Sequence, residues 1–161
     1  MKKDKLTDRI DGCGTASRKD DRAIAPASRA AHGRFGEDAA AEYLIRNGYK
    51  IKGRNVRLGR HELDIIAEDD EYLVFVEVKT RTEAPRGYLY TYGRPAAAVN
   101  YEKKQNTVAA ANEYLRTVRS AGEAASKRVR IDVIEICLAR GEIDPPVITE
   151  INHIRNAFGA R

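Results

Sequence analysis

A chain of 161 residues that is 42% hydrophobic can bury one core but is short for two domains. Its net charge of +5 permits a nucleic-acid partner without demanding one. Two cysteines, Cys13 and Cys137, and no apolar run of membrane-span length argue against a disulfide scaffold, a cysteine-built zinc site and a helical membrane protein. The charged start has no apolar stretch of the secretory kind, so the expected location is the cytoplasm, away from any membrane.

Residues 1–31 hold eight Lys or Arg and five Asp, with Gly12, Gly14 and Pro26 and no apolar periodicity. This predicts a disordered tail over 1–32, a spacer more readily than a basic arm, ahead of one domain over 33–161. Phe35, Ala39, Ala40, Tyr43 and Leu44 recur at helical spacing, and Gly48 suits the position after a helix end, so 33–47 reads as a helix. Glu37 falls in its first turn, where the helix dipole favours an acid. Residues 49–57 read as a first strand, with Arg54 and Arg57 as solvated charges.

Residues 61–67 and 72–79 read as two further strands around the acidic, turn-forming run 68–71. The second is apolar on both faces, with Leu73 and Phe75 on one and Val74, Val76 and Val78 on the other, as in a central, covered strand. So short a connection makes the pair an antiparallel hairpin. Glu62 and Asp64 share one face of the first strand, and Leu63 and Ile65 the other. Glu77 and Lys79 leave the second strand on one face. With the turn centred near Asp70 and Glu71, Asp64 falls opposite Glu77. Facing carboxylates repel, and charge at the end of a buried strand is costly unless it is paired or coordinates a metal. A divalent cation between the two reverses the sign. The hairpin therefore reads as a carboxylate clamp with Lys79 beside it, and one lysine does not neutralise Glu62, Asp64 and Glu77 together.

The loop over 80–95 interleaves Arg81, Arg86 and Arg94 with Tyr88, Tyr90 and Tyr92, groups suited to phosphates and unpaired bases, or to packing on the domain or a second subunit. Residues 95–120 read as the longest helix, with Pro95 at its start and Thr107, Val108, Ala111, Tyr114, Leu115 and Val118 on one stripe. Lys103 and Lys104 lie a turn before the centre of that stripe, reaching a phosphate or forming a solvated face. Residues 128–138 read as a strand in which Asp132 is a buried acid bonded to Arg128, Arg130 or backbone. An edge strand over 147–151 and a closing helical turn over 154–158 complete the chain. His32 and His153 have no partner visible in the sequence.

The order is helix, three strands, helix, strand and a short end: an α/β chain with a mixed sheet, its first three strands a meander and its fourth reached by a helical crossover. Asp64, a spacer and Glu77-Val-Lys79 resemble the PD-(D/E)XK nuclease signature. The wider ordered set runs from Gly36, Glu37, Tyr43, Leu44 and Gly48, through 61–66, 74–81, Lys103, Lys104 and Arg130-Ile-Asp132, to Asn156-Ala-Phe158. It is similar to the bacterial YraN-like family over residues 33–158, with His61 standing where that family usually has Gly. The resemblance implies a restriction-endonuclease-like core, a mixed central sheet flanked by helices, as in Holliday-junction resolvases. It implies a metal-dependent nuclease acting on DNA, branched or structured DNA included, with Mg²⁺ or Mn²⁺ held by Asp64 and Glu77. Lys79 would orient the attacking water or stabilise developing charge, with Glu62 and Glu37 as further acids of the site. Arg81, Arg86, Arg94, Lys103 and Lys104 are the expected nucleic-acid contacts. The alternatives are a non-catalytic nucleic-acid-binding module and an assembly factor on the same fold, and a homodimer is compatible with each.

Overall fold

The first helix, α1, spans Pro26–Arg46, beginning seven residues before its expected start. The computed structural model describes residues 26–82, 101–120, 127–140 and 145–158. Residues 1–25, Arg86 and Arg94, the loop tyrosines and the expected helix start at Pro95 lie outside them. The expected boundary between tail and domain, at residues 32 and 33, falls inside α1. Arg29, Ala30 and Ala31 are exposed on its first turns, so they leave no apolar period to read. Their propensity still favours a helix, and Pro26 suits a first position. The helix ends where Gly48 takes a φ of 86°, a left-handed conformation that costs glycine little. There Gly48 N–H donates to Ile45 O at 3.0 Å and Tyr49 N–H to Leu44 O at 3.0 Å.

Three antiparallel strands follow: β1 (Lys50–Leu58), β2 (His61–Glu68) and β3 (Tyr72–Thr82). Asp69 fixes the turn between β2 and β3. Its Oδ1 accepts from Glu71 N–H at 2.9 Å and Tyr72 N–H at 2.6 Å, while its own N–H donates to Tyr72 O at 3.0 Å. Burial opposes ionisation of Asp69, but those two N–H bonds, with Arg130 and Lys127 nearby, hold it below the usual carboxylate range. The turn sets the register that pairs Ile65 with Val76 and Glu68 with Leu73.

The helix α2 (Tyr101–Ser120) carries the chain back to β4 (Arg128–Leu138), which pairs in parallel with β3 from Tyr72↔Arg128 to Thr82↔Leu138. β5 (Ile148–Ile154) closes the sheet antiparallel to β4, giving the order β1-β2-β3-β4-β5. The expected helical turn over 154–158 is instead the end of β5 and a turn. Asn156 there has a φ of 50°, and its N–H donates to Asp132 Oδ1 at 2.9 Å.

The two helices are associated with separate clusters of core side chains. Ala40 and Leu44 of α1 join Val74, Val76, Ile134 and Ile136 in one; Ala110 and Ala111 of α2 join Leu63, Phe75 and Ile131 in the other. Phe75 is fully buried and meets the Tyr114 ring edge-on at 5.7 Å; side chains of this kind stabilise a fold by about 1.5–3 kcal/mol each when buried. Leu63 and Ile65, expected on one face, enter different clusters. The β2–β3 ladder ends at Ile65, between the two, and from there β2 continues beside β1. Among the described residues no helix is long and apolar enough to cross a membrane.

Candidate functional site

One step beyond the last β2–β3 pair stand Asp64 and Glu77, in the register the turn predicts. Asp64 continues the pairing with its side chain: Oδ2 accepts from Val78 N–H at 2.8 Å, taking the place of a strand carbonyl just past the end of the ladder. Glu77 is 2% exposed and its carboxylate is held from three directions. Lys79 Nζ lies 2.9 Å and Lys103 Nζ 3.3 Å from Oε1, and the Thr107 hydroxyl lies 3.3 Å from Oε2. Thr107 has one hydrogen to give and also faces the Lys103 carbonyl at 2.9 Å, so its hold on Oε2 is shared.

The strand–helix crossover explains why these groups meet. The parallel β3–β4 pairing requires the chain to return across one sheet face, and α2 buries Thr107 and Ala110 in doing so. Lys103 lies one helical turn before Thr107 and is carried over Glu77. Burial would pull its ammonium down, but Glu77, Asp64 and Glu62 push it above the usual lysine range. On α1, Gly36 presses against β3: a Cβ there would sit 1.8 Å from Thr80 Oγ1. That approach brings Glu37 within electrostatic reach of Asp64.

Four carboxylates, Glu37, Glu62, Asp64 and Glu77, therefore share a neighbourhood with two ammoniums, Lys79 and Lys103. Asp64 responds to this imbalance. Burial first and Glu77 second push its carboxyl up to about 6, against the Val78 N–H and Lys103, which lower it. Among the described residues no three His, Cys, Asp or Glu stand together as a metal cage. The donors instead fit a hard cation that takes one or two carboxylates and keeps its waters, as Mg²⁺ does. Among the described residues, Asp64 Oδ1 and Glu77 Oε2 are the oxygens of the pair not engaged by an ion pair or a backbone N–H, Oε2 meeting only the Thr107 hydroxyl.

Of the expected contacts, Lys103 joins the site itself. Lys104 turns away, its Nζ lying over the Phe158 ring at 5.8 Å from the centroid. Arg81 is half exposed near the end of β3, with Nε 4.0 Å from Glu135. Arg86 and Arg94 are outside the described residues. The sequence reading did not include Thr107 in the site, and its position one turn after Lys103 was the available signal.

A second buried polar network lies on the α1 side. Asp132 is fully buried and accepts from Arg130 Nε at 3.0 Å, as the sequence reading expected. It also faces His153 Nε2 at 2.9 Å, the partner the sequence did not reveal. Since an ionised carboxylate only accepts, Nε2 carries the hydrogen, and Nδ1 is buried without a partner among the described residues. Arg130 donates on to Tyr49 Oη at 2.6 Å. This network ties β4 and β5 to Tyr49, just ahead of β1, and among the described residues no hydrogen bond or ion pair joins it to the four site carboxylates.

These features define an α/β protein with a mixed five-stranded sheet, consistent with a restriction-endonuclease-like core, carrying a carboxylate–lysine cluster on its central strand. The model of the uncharacterised protein family UPF0102 matches residues 36–136, and the chain belongs to that family. It is 43% identical over 126 residues to a UPF0102 protein of Rhodococcus jostii, covering 78% of this chain and 94% of that one. A Myxococcus xanthus member is 35% identical over 139 residues, covering 86% and 98%. One from Chlorobium phaeobacteroides is 40% identical over 129 residues, covering 78% and 92%. The family is the one the sequence resembled.

Proposed function

We propose that this protein is a metal-dependent nuclease that hydrolyses phosphodiester bonds in DNA, with branched or structured DNA the first substrates to test. The observation that carries the reading is the Asp64–Glu77 pair, which faces across β2 and the central strand β3 and is flanked by two lysines yet short of positive charge. Mg²⁺ or Mn²⁺ held by Asp64 and Glu77 would neutralise the phosphate and supply activated water. Lys79, anchored to Glu77 at 2.9 Å and partly exposed, places an ammonium where negative charge develops on the phosphoryl oxygens. Lys103 orients Glu77 from α2, and Thr107 steadies both. Glu37 and Glu62 add to the negative potential that attracts the cation. Arg81 and, outside the described residues, Arg86 and Arg94 are assigned to the nucleic-acid backbone. A cytoplasmic location and a homodimer belong to the same proposal.

A second reading is supported by the closure of Glu77 under two ammoniums and a hydroxyl, an arrangement that also suits a structural ion-pair network in a non-catalytic binding module. Single-turnover cleavage with protein in excess, beside a binding titration in Ca²⁺, separates them. On the nuclease reading, Lys79→Ala lowers cleavage about 10²-fold or more while affinity and the metal-linked rise in Tm persist. Asp64→Asn with Glu77→Gln removes that rise. Equal cleavage by wild type and Lys79→Ala would leave the binding module in front.

A further inference from the structure

On the α1 side of β3 lies a cleft of about 280 Å³, lined by Arg29, His32 and Glu37 from the helix and Val78, Thr80 and Arg81 from the strand, among others. Its strand wall leads to the site: the N–H of Val78 is the one Asp64 holds, and Glu37 is the α1 acid that acts on Asp64. Glu77, Lys79 and Lys103 stand on the other side of the sheet end, toward α2. The lysines thus stand on one side of the sheet end, and the cleft with Arg29 and His32 lies on the other.

The chemistry of the cleft is that of a backbone contact. Arg29 and His32 are three residues apart, which puts them on one face of α1. Guanidinium and imidazole groups, with the hydroxyls of Thr80 and Thr82, are donors of the kind that meet phosphate oxygens. The volume is just below the range of pockets that enclose a whole drug-sized ligand, roughly 300–1,000 Å³. A phosphodiester linkage fits within that volume. Glu37 in the same wall disfavours a small free anion, so the ligand suited here is a phosphate presented by a strand already held elsewhere.

We propose that this cleft seats a nucleic-acid phosphate next to the reacting one, with Arg29 and His32 as its contacts, so that the strand crosses the sheet end from the α2 side to the α1 side. The proposal rests on the nuclease reading and adds a path for the substrate. It also gives a role to two residues that the sequence analysis assigned to a tail.

The test is a titration of labelled single-stranded, duplex and branched DNA into the full chain in Ca²⁺ at several salt concentrations. Wild type, Arg29→Gln/His32→Gln and Arg29→Lys are compared. The double variant should bind about 10-fold more weakly at moderate salt, and its log–log salt slope should be shallower by about one contact, 0.7–0.9. Arg29→Lys, which keeps the charge, should retain the wild-type slope. Inorganic phosphate should compete no better than chloride of equal ionic strength. An intact Mg²⁺-linked rise in Tm, which belongs to Asp64 and Glu77, shows that the double variant is folded. Unchanged affinity and slope in the double variant, while Lys79→Ala still loses cleavage, would overturn the cleft and leave the nuclease reading standing. Wild-type protein that binds none of the DNAs would remove both.

Discussion

Asp64 is the residue on which the site turns, because it does two incompatible things at once. Its Oδ2 completes the backbone pairing of Val78, a structural task that an uncharged side chain could perform. Its charge sits partly buried beside Glu77, which raises its carboxyl to about 6. The sign of the consequence follows from linkage. The folded chain binds the proton more tightly than the unfolded one, so ionised Asp64 destabilises the fold above about pH 6, and the penalty disappears as pH falls toward 4. The ceiling is about 3 kcal/mol for a carboxyl raised from 3.8 to about 6, and partial exposure brings it to about 1–2 kcal/mol. Asp64→Asn keeps an acceptor for Val78 and loses the charge. In chelator at pH 7.5 it should melt several degrees above wild type, and the gap should close by pH 4. A variant equal to or less stable than wild type at pH 7.5 would show that the charge is not under strain. Stability gained by removing a site residue is the pattern of a position kept for its chemistry.

At the scale of elements, α1 matters for how closely it lies on β3. Gly36 carries no Cβ because Thr80 occupies the space; Thr80 Oγ1, Cβ and Cγ2 would stand 1.8, 3.0 and 3.2 Å from it. In an open helix position Gly36→Ala would gain about 1 kcal/mol. Here the overpacking should outweigh that gain and leave a net loss of about 1–2 kcal/mol. Thr80→Ala should recover most of the loss in the double variant, which a pair of denaturation curves would reveal. A Gly36→Ala protein as stable as wild type would mean that α1 is not held this closely. The sequence made much of this level legible. Strands rich in β-branched residues, the Asp69 turn and Gly48 are local signals, and the register they set places Asp64 opposite Glu77 on the sequence alone. The start of α1 was hidden because the exposed Arg29, Ala30 and Ala31 show no apolar period. The meetings of Lys103 with Glu77 and of His153 with Asp132 were hidden for another reason. Each joins residues more than twenty positions apart, and nothing in either local pattern encodes the partner.

For the whole molecule, the parallel β3–β4 pairing sets an order in time. The three-stranded meander closes through short turns, whereas β4 can pair only after α2 has carried the chain across the sheet. Local hairpins form fast, and contacts across a long crossover come late. Asp64, Glu77 and Lys79 all belong to the meander, while Lys103 arrives with α2. A transition state built on the meander would therefore bring the acids together without their second lysine, and their repulsion would fall on the folding barrier. Stopped-flow chevrons in chelator at pH 7.5 would expose this. Asp64→Asn should refold faster than wild type with a nearly unchanged unfolding arm, and Lys103→Met should chiefly speed unfolding. If Lys103→Met slows refolding by as much as it speeds unfolding, α2 docks early and the order is wrong. If the order holds, divalent cations would act as folding accelerators as well as ligands of the finished site, because the carboxylate pair they favour is assembled before the rest of the sheet.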